Sequence, residues 1–200
     1  DKTVKIWDIE SGKLGAEVKC HKNLIQSMLW NENGSLLFTT CKDKKGRFFD
    51  PRVGTPVGTF HPHESVKAAK GVFMTELNKF VTVGATNQAK RELAVWDMRK
   101  LDSTTQLKRL QLDSSAGTLM PFYDRANKLL FVGGKGDGNL RIFEMAQDKN
   151  MIYECSQMST GSEPCKGLTA LPKSVCDVMK CETMRIMKLS SNRVSELKFI

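Results

Sequence analysis

Several features are scarce in this 200-residue chain, and each scarcity closes off a class of function. No apolar run approaches the roughly 18 residues that a membrane-spanning helix needs. The 40% hydrophobic and 26% charged fractions are those of a soluble globular chain. There is no C-x-x-C, and the six cysteines (Cys20, Cys41, Cys155, Cys165, Cys176 and Cys181) match no zinc spacing. About half the chain separates Cys41 from Cys155, which argues against a disulfide framework and for free thiols in a reducing cytosol. The three histidines lie early in the chain, and none pairs with a motif cysteine. His61-Pro62-His63 would make a metal pair, but no third ligand is close in sequence. A serine nucleophile would need G-x-S-x-G, which neither NENGS nor DSSAG provides. The remaining carboxylates are dispersed, mostly in turns, and nothing points to catalysis or to a cofactor.

One glycine-rich stretch, FVGGKGDGNLRIFE (131–144), invites a phosphate-binding reading. It fails as a P-loop, because Lys135 is followed by Gly136 instead of Ser or Thr. It fails G-x-G-x-x-G as well, because the position required after Gly134 and Gly136 is Asn139. It reads as a tight hairpin turn in which Asp137-Gly138-Asn139 supplies residues that tolerate positive φ.

What the chain does have is positive charge, +9 net with a pI near 9.3. Such a balance favours acidic partners. The lysines are spread along the chain and are not interleaved with aromatics, and no nucleic-acid motif occurs. The N-terminal DKTVKIWD begins in the middle of a strand-like pattern and is no signal peptide, and SELKFI ends on another such run. Both ends read as cut.

The chain also has an internal repeat. Similar pieces recur as DKTVKIWD (1–8), DKKGRFFD (43–50), RELAVWDM (91–98), GNLRIFEM (138–145) and ETMRIMKL (182–189). Their marker residues, Trp7, Phe49, Trp96, Phe143 and Met187, stand 42, 47, 47 and 44 positions apart. In four of the five an acid follows, and a tryptophan-aspartate pair returning about every 40–45 residues, with four short strands per interval, marks a WD40 β-propeller. Strands are expected at 14–20, 25–30, 36–42, 56–60, 66–74, 80–84, 92–96, 106–112, 117–123, 128–134, 140–144, 151–158, 166–171 and 183–189, with a less regular SVCDVMKC at 174–181. The fold class is all-β: about four blades of an expected seven, in one partial domain over 1–200. His21 and His63-Glu64 fall between an outer strand and the next inner strand, where the imidazole is expected to bond into its own blade.

Five segments carry a closer likeness: TTCKDKKGRFFDPRVGT (39–55), RELAVWDMRKLD (91–102), LQLDSSAGTLMPFYD (110–124), GGKGDGNLRIFE (133–144) and LPKSVCDVMKCETMRIMKL (171–189). In order and along nearly the whole chain, they resemble coronins, actin-binding WD-repeat proteins built on a seven-bladed propeller. There are departures. Gly138-Asn139 stands where the family often has two serines, Met187 replaces an aromatic, and Phe49 breaks the tryptophan hydrogen-bond network of its blade.

The resemblance implies an actin-filament-binding, non-catalytic scaffold in the cytoplasm, with Arp2/3 complex and cofilin as further partners of the full-length protein. It also implies that the first blades and a C-terminal oligomerising coiled coil lie outside these residues. Because closure is what hides the inner strands of a propeller, four blades alone are expected to be marginal or to self-associate. The candidate contact residues are Lys42, Lys44, Lys45, Arg47 and Arg52 around one turn, with Arg91 and Lys135 in the corresponding turns of later blades. The alternative reading is an interaction propeller serving a trafficking or signalling complex instead of actin, since one propeller architecture serves many partners.

Overall fold

The computed structural model describes residues 1–101 and 104–200. The last residue of the segment 91–102 therefore lies outside the described residues. The chain divides into two compact units, Asp1–Ala116 and Gly117–Ile200. Among the described residues, every regular element is a β-strand apart from three short 3-10 turns.

The first unit holds ten strands: β1 (Val4–Trp7), β2 (Leu14–Val18), β3 (Ile25–Trp30), β4 (Leu37–Cys41), β5 (Gly46–Phe49), β6 (Pro56–Phe60), β7 (Lys70–Met74), β8 (Lys79–Ala85), β9 (Lys90–Asp97) and β10 (Gln106–Ser114). They pair as β1-β2, β3-β4-β5-β6 and β7-β8-β9-β10, each strand antiparallel to its neighbour. Middle strands such as LFTTC of β4 and KFVTVGA of β8 are buried along their whole length, their threonines and Lys79 included. The core lies between the faces of successive sheets. Leu36, Phe38, Phe48 and Phe60 pack on Phe73, Phe80, Ala94 and Trp96, while Val4 and Val18 pack on Leu37 and Phe49. Phe38 and Phe80 meet edge to face with centroids 4.5 Å apart, a favoured aromatic geometry.

The second unit holds β11 (Leu119–Asp124), β12 (Leu129–Gly134), β13 (Asn139–Met145) and β14 (Ile152–Ser159) in one sheet. A second sheet has the order β15 (Gly167–Ala170), β16 (Met184–Leu189), β17 (Val194–Phe199). Its core joins Phe131 and Leu140 to Met184, Ile186 and Phe199. Gly117 has no room for a side chain, because a Cβ would sit 1.8 Å from the Lys135 carbonyl oxygen.

A regularity absent from the sequence reading supports the repeat. Where the third and fourth strands of a four-stranded sheet pair, and likewise where β1 pairs with β2, the register slips at the marker residue. Trp7 faces Leu14 while Ile6 faces Ala16, and Phe49 faces Pro56 while Phe48 faces Gly58. Trp96 faces Gln106 while Val95 faces Lys108, and Phe143 faces Glu154 while Ile142 faces Ser156. Each time one extra residue (Gly15, Val57, Leu107 or Cys155) stands opposite the marker, as in a β-bulge.

Met187 does not share this position. It lies in the middle strand of β15-β16-β17 and faces Glu196 without a slip, so the fifth marker is displaced to a second strand. The stretch 174–181 is no strand either: it forms 3-10 turns at Lys173–Val175 and Val178–Lys180. The strand expected over 66–74 begins only at Lys70; before it, the Val66 and Ala69 carbonyls accept from Gln26 and Thr40 of the neighbouring sheet.

Candidate interaction face

In an antiparallel sheet the end of the second strand and the start of the third lie together, with the end of the fourth beside them. In the first unit this end of β3–β6 and β7–β10 is stitched together by polar bonds. Thr40 Oγ1 donates to the Ala69 carbonyl (2.8 Å), Gln26 Nε2 to that of Val66 (2.8 Å) and Lys67 Nζ to that of Ala116 (3.1 Å). The same end carries Lys22, Lys42, Lys44, Lys45, Lys67 and Lys90. Lys22 and Lys42 are exposed, and the other four are half-buried.

Of the carboxylates at this end, Glu64 is exposed and lines the cleft described below, while Asp43, Asp113 and Glu92 are engaged internally. Asp43 holds Arg47 through two bonds of 3.2 and 2.5 Å and accepts the Lys45 amide at 3.1 Å. Burial works against its ionisation, but the Arg47 and Lys45 hydrogen bonds outweigh it and hold the carboxyl at about 2. Asp113 on β10 takes Arg91 on β9 at 2.5 and 2.6 Å. Glu92 accepts from His63 Nδ1 at 2.7 Å and pairs with Arg109, whose guanidinium also reaches the Pro62 carbonyl at 3.0 Å. Burial depresses the His63 pKa, and the Glu92 bond only partly opposes this. A cleft of about 510 Å³ opens here between Lys44, His61, Asn87 and Arg109.

The seven proposed contact residues therefore separate into groups. Lys42, Lys44 and Lys45 share the β4–β5 turn, which Lys44 tightens with a φ of 66°. Arg47 and Arg91 are each 4% exposed and belong to ion pairs inside their sheets. Arg52 lies at the opposite end of its sheet, in the β5–β6 turn, where Asp50 takes its guanidinium at 2.8 and 2.6 Å. Lys135 is exposed in the β12–β13 turn of the second unit. That turn takes its positive φ (90°) at Gly136, one residue ahead of the expected trio. Backbone bonds from Gly136 to the Cys165 carbonyl (2.6 Å) and from Thr160 to the Gly138 carbonyl (2.7 Å) pin it in place. Sequence reasoning missed Lys22, Lys67 and Lys90, whose only signal was their place just beside strand ends.

Two of the three histidines, His21 and His63, bond into the sheets that follow them. His21 Nε2 lies 2.9 Å from Thr39 Oγ1 with its ring 5.5 Å from Phe49, and burial followed by the Arg47 charge lowers its pKa. Trp96 Nε1 donates to Thr82 Oγ1 at 2.8 Å. Phe49 has no such donor, so its blade keeps the histidine–threonine bond and loses the tryptophan one. Among the described residues, no three His, Cys, Asp or Glu side chains are placed to hold a metal, and no helix is long and apolar enough to cross a membrane.

Comparison with known proteins places this geometry. The WD40 family (WD domain, G-beta repeat) matches residues 12–50. Coronin-A of Dictyostelium discoideum is 40% identical over 188 residues, covering 94% of this chain and 41% of that protein. Coronin-2A of Homo sapiens is 36% identical over 200 residues, covering 96% of this chain and 37% of that protein. The chain thus spans less than half the length of these relatives. The crystal structure of the WD40 domain from Toxoplasma gondii coronin superposes with a TM-score of 0.87 at 29% identity, over 98% of this chain and 50% of that one. A chain in the crystal structure of the mitotic checkpoint complex reaches a TM-score of 0.77 at 12% identity, which shows the fold alone.

Proposed function

Because the chain belongs to the coronin family, we propose that it supplies the later blades of a coronin propeller and acts in a cytoplasmic, non-catalytic scaffold that binds actin filaments. The observation that supports this reading is the lysine-rich end of the first unit, where Asp43, Asp113 and Glu92 are engaged with Arg47, Arg91, Arg109 and His63 and Glu64 is the exposed acid. A basic face of that kind suits the acidic surface of actin, and it accelerates encounter in a salt-dependent way. Lys42, Lys44 and Lys45 form its centre, with Lys22, Lys67 and Lys90 around them, and Lys135 is the equivalent turn residue of the second unit. Arg47 and Arg91 support the reading indirectly, by occupying the acids that would otherwise offset the lysines. Arp2/3 complex and cofilin, and oligomerisation through a coiled coil, belong to the same proposal at the level of the full-length protein.

High-speed cosedimentation of the full-length protein with actin filaments, at low and at physiological salt, tests the reading. Pelleting that weakens as salt rises is expected. No pelleting at either salt removes actin as the partner and leaves a propeller scaffold for another complex. Reversing the charge at Lys44 and Lys45 together is expected to weaken pelleting several-fold, and unchanged affinity would return that turn to an ordinary solvated role.

A further inference from the structure

The lysine-rich end of the first unit is not uniformly basic. Between the β4–β5 turn and the loop joining β6 to β7, the cleft of about 510 Å³ carries charges of both signs. Lys44 and Arg109 are its cations, Glu64 and Glu92 its carboxylates. Glu92 is consumed within the wall, because it accepts from His63 Nδ1 at 2.7 Å and pairs with Arg109 while its side chain is 6% exposed. Lys44 and Glu64 are placed differently. Lys44 is half-buried, Glu64 is exposed, and among the described residues neither has an ion-pair partner. The exposed His61 and Asn87 add groups that donate and accept hydrogen bonds.

The walls are held in place before anything enters. Arg109 is tied to the Pro62 carbonyl at 3.0 Å and to Gln106 at 3.1 and 2.7 Å, besides its pairing with Glu92. His63 packs so closely on β8 that a Cβ on Gly84 would sit 2.4 Å from its ring. Fixed walls lower the ordering cost of an occupant, so polar contacts made here count toward affinity. The volume lies within the roughly 300–1,000 Å³ of ligand-binding clefts, enough for a few residues of a partner chain.

The balance of charge narrows the choice of occupant. A free phosphate, or a segment bearing acids alone, would meet Glu64 as a like charge. A segment bearing bases alone would meet Lys44 in the same way, with Lys42, Lys45 and Lys67 nearby. An occupant with one charge of each sign satisfies both unpaired groups, and complementarity of that kind sets specificity more than raw affinity.

We infer that this cleft is a specificity pocket for a partner segment that carries an acidic and a basic side chain, the acid docking on Lys44 and the base on Glu64. Resting on the actin reading above, the segment belongs to the surface of the actin filament. The surrounding lysines draw the acidic surface in, and the cleft selects which segment seats.

Glu64→Gln in the full-length protein tests the pocket, because the two roles of this carboxylate differ in sign. If the lysines act as a field alone, removing an acid that faces an acidic surface tightens cosedimentation with actin filaments. If Glu64 holds a partner base, binding becomes about fivefold weaker, as for the loss of one partly exposed ion pair. Glu64→Lys should be weaker still. The loss should lie in faster dissociation, while association stays equal or quickens with the added net charge. Thermal melting should not change, since Glu64 is exposed and bonds to nothing in its own chain. Equal or tighter binding by Glu64→Gln would overturn the pocket and leave the actin reading standing. Failure of the wild type to pellet at any salt would remove both. Calorimetric binding of inorganic phosphate that Glu64→Gln strengthens would make the cleft a plain anion site and overturn the pocket as well.

Discussion

Asp43→Ala tests whether the β4–β5 turn is held by its internal ion pair. The Arg47 side chain is 5% exposed and that of Asp43 is 13%, so the substitution leaves a guanidinium buried with its partner gone. Removing one member of such a pair costs about 3–5 kcal/mol, against a total stability of about 5–15 kcal/mol for a domain. At roughly 2–4 °C per kcal/mol for a chain of this size, the melting temperature should fall by about 6–20 °C. The double change Asp43→Ala with Arg47→Met should recover most of the loss, because the buried charge is then gone as well. Acid unfolding gives an independent readout. The folded carboxyl titrates at about 2, below its ordinary 3.8. A depressed folded value contributes stability that is complete above pH 4 and is lost as pH falls through about 2. This amounts to about 2 kcal/mol. Urea unfolding followed by circular dichroism from pH 7 to pH 2 measures both effects. The reasoning is refuted if the single variant loses less than about 1 kcal/mol at pH 7, or keeps the wild-type slope on the acid limb.

Two further substitutions probe the frame that carries the candidate face. Thr82→Val deprives the buried Trp96 Nε1 of its acceptor and should cost about 1–3 kcal/mol in denaturant unfolding, where no change would place that indole bond elsewhere. Gly117→Ala drives a Cβ into the Lys135 carbonyl and should cost at least about 1–3 kcal/mol, with a shifted β12–β13 turn visible in amide chemical shifts.

Strands were legible in the sequence where apolar alternation ran between strong turn residues. PVGTF is β6 residue for residue, and KLLFVGG and LRIFE differ from β12 and β13 by one or two positions at their ends. Met187 misled because MRIMKL repeats the marker pattern. Its rank in the sheet is set by pairing with β15 and β17, which a local pattern does not encode. The candidate turn residues were only partly legible. The Asp43 partner of Arg47 was four positions away and readable, whereas Asp113 reaches Arg91 across 22 positions. Arg52 looked like part of the lysine turn, but β5 carries the chain across the sheet in only four residues. Lys67 and Lys90 join the face only because neighbouring sheets meet there.

The bulge that recurs opposite Trp7, Phe49, Trp96 and Phe143 also bears on how the protein stays dispersed. In the four-stranded sheets the bulged strands β6, β10 and β14 are edge strands, with one row of amides and carbonyls turned away from the sheet. A flat edge is a template for a further strand from another molecule, and the added residue bends and twists it out of that register. Each repeat therefore carries a local defence against fibril-like stacking, built at the position that also seats its marker side chain. A substitution that straightened one outer strand would endanger colloidal behaviour before it endangered the core.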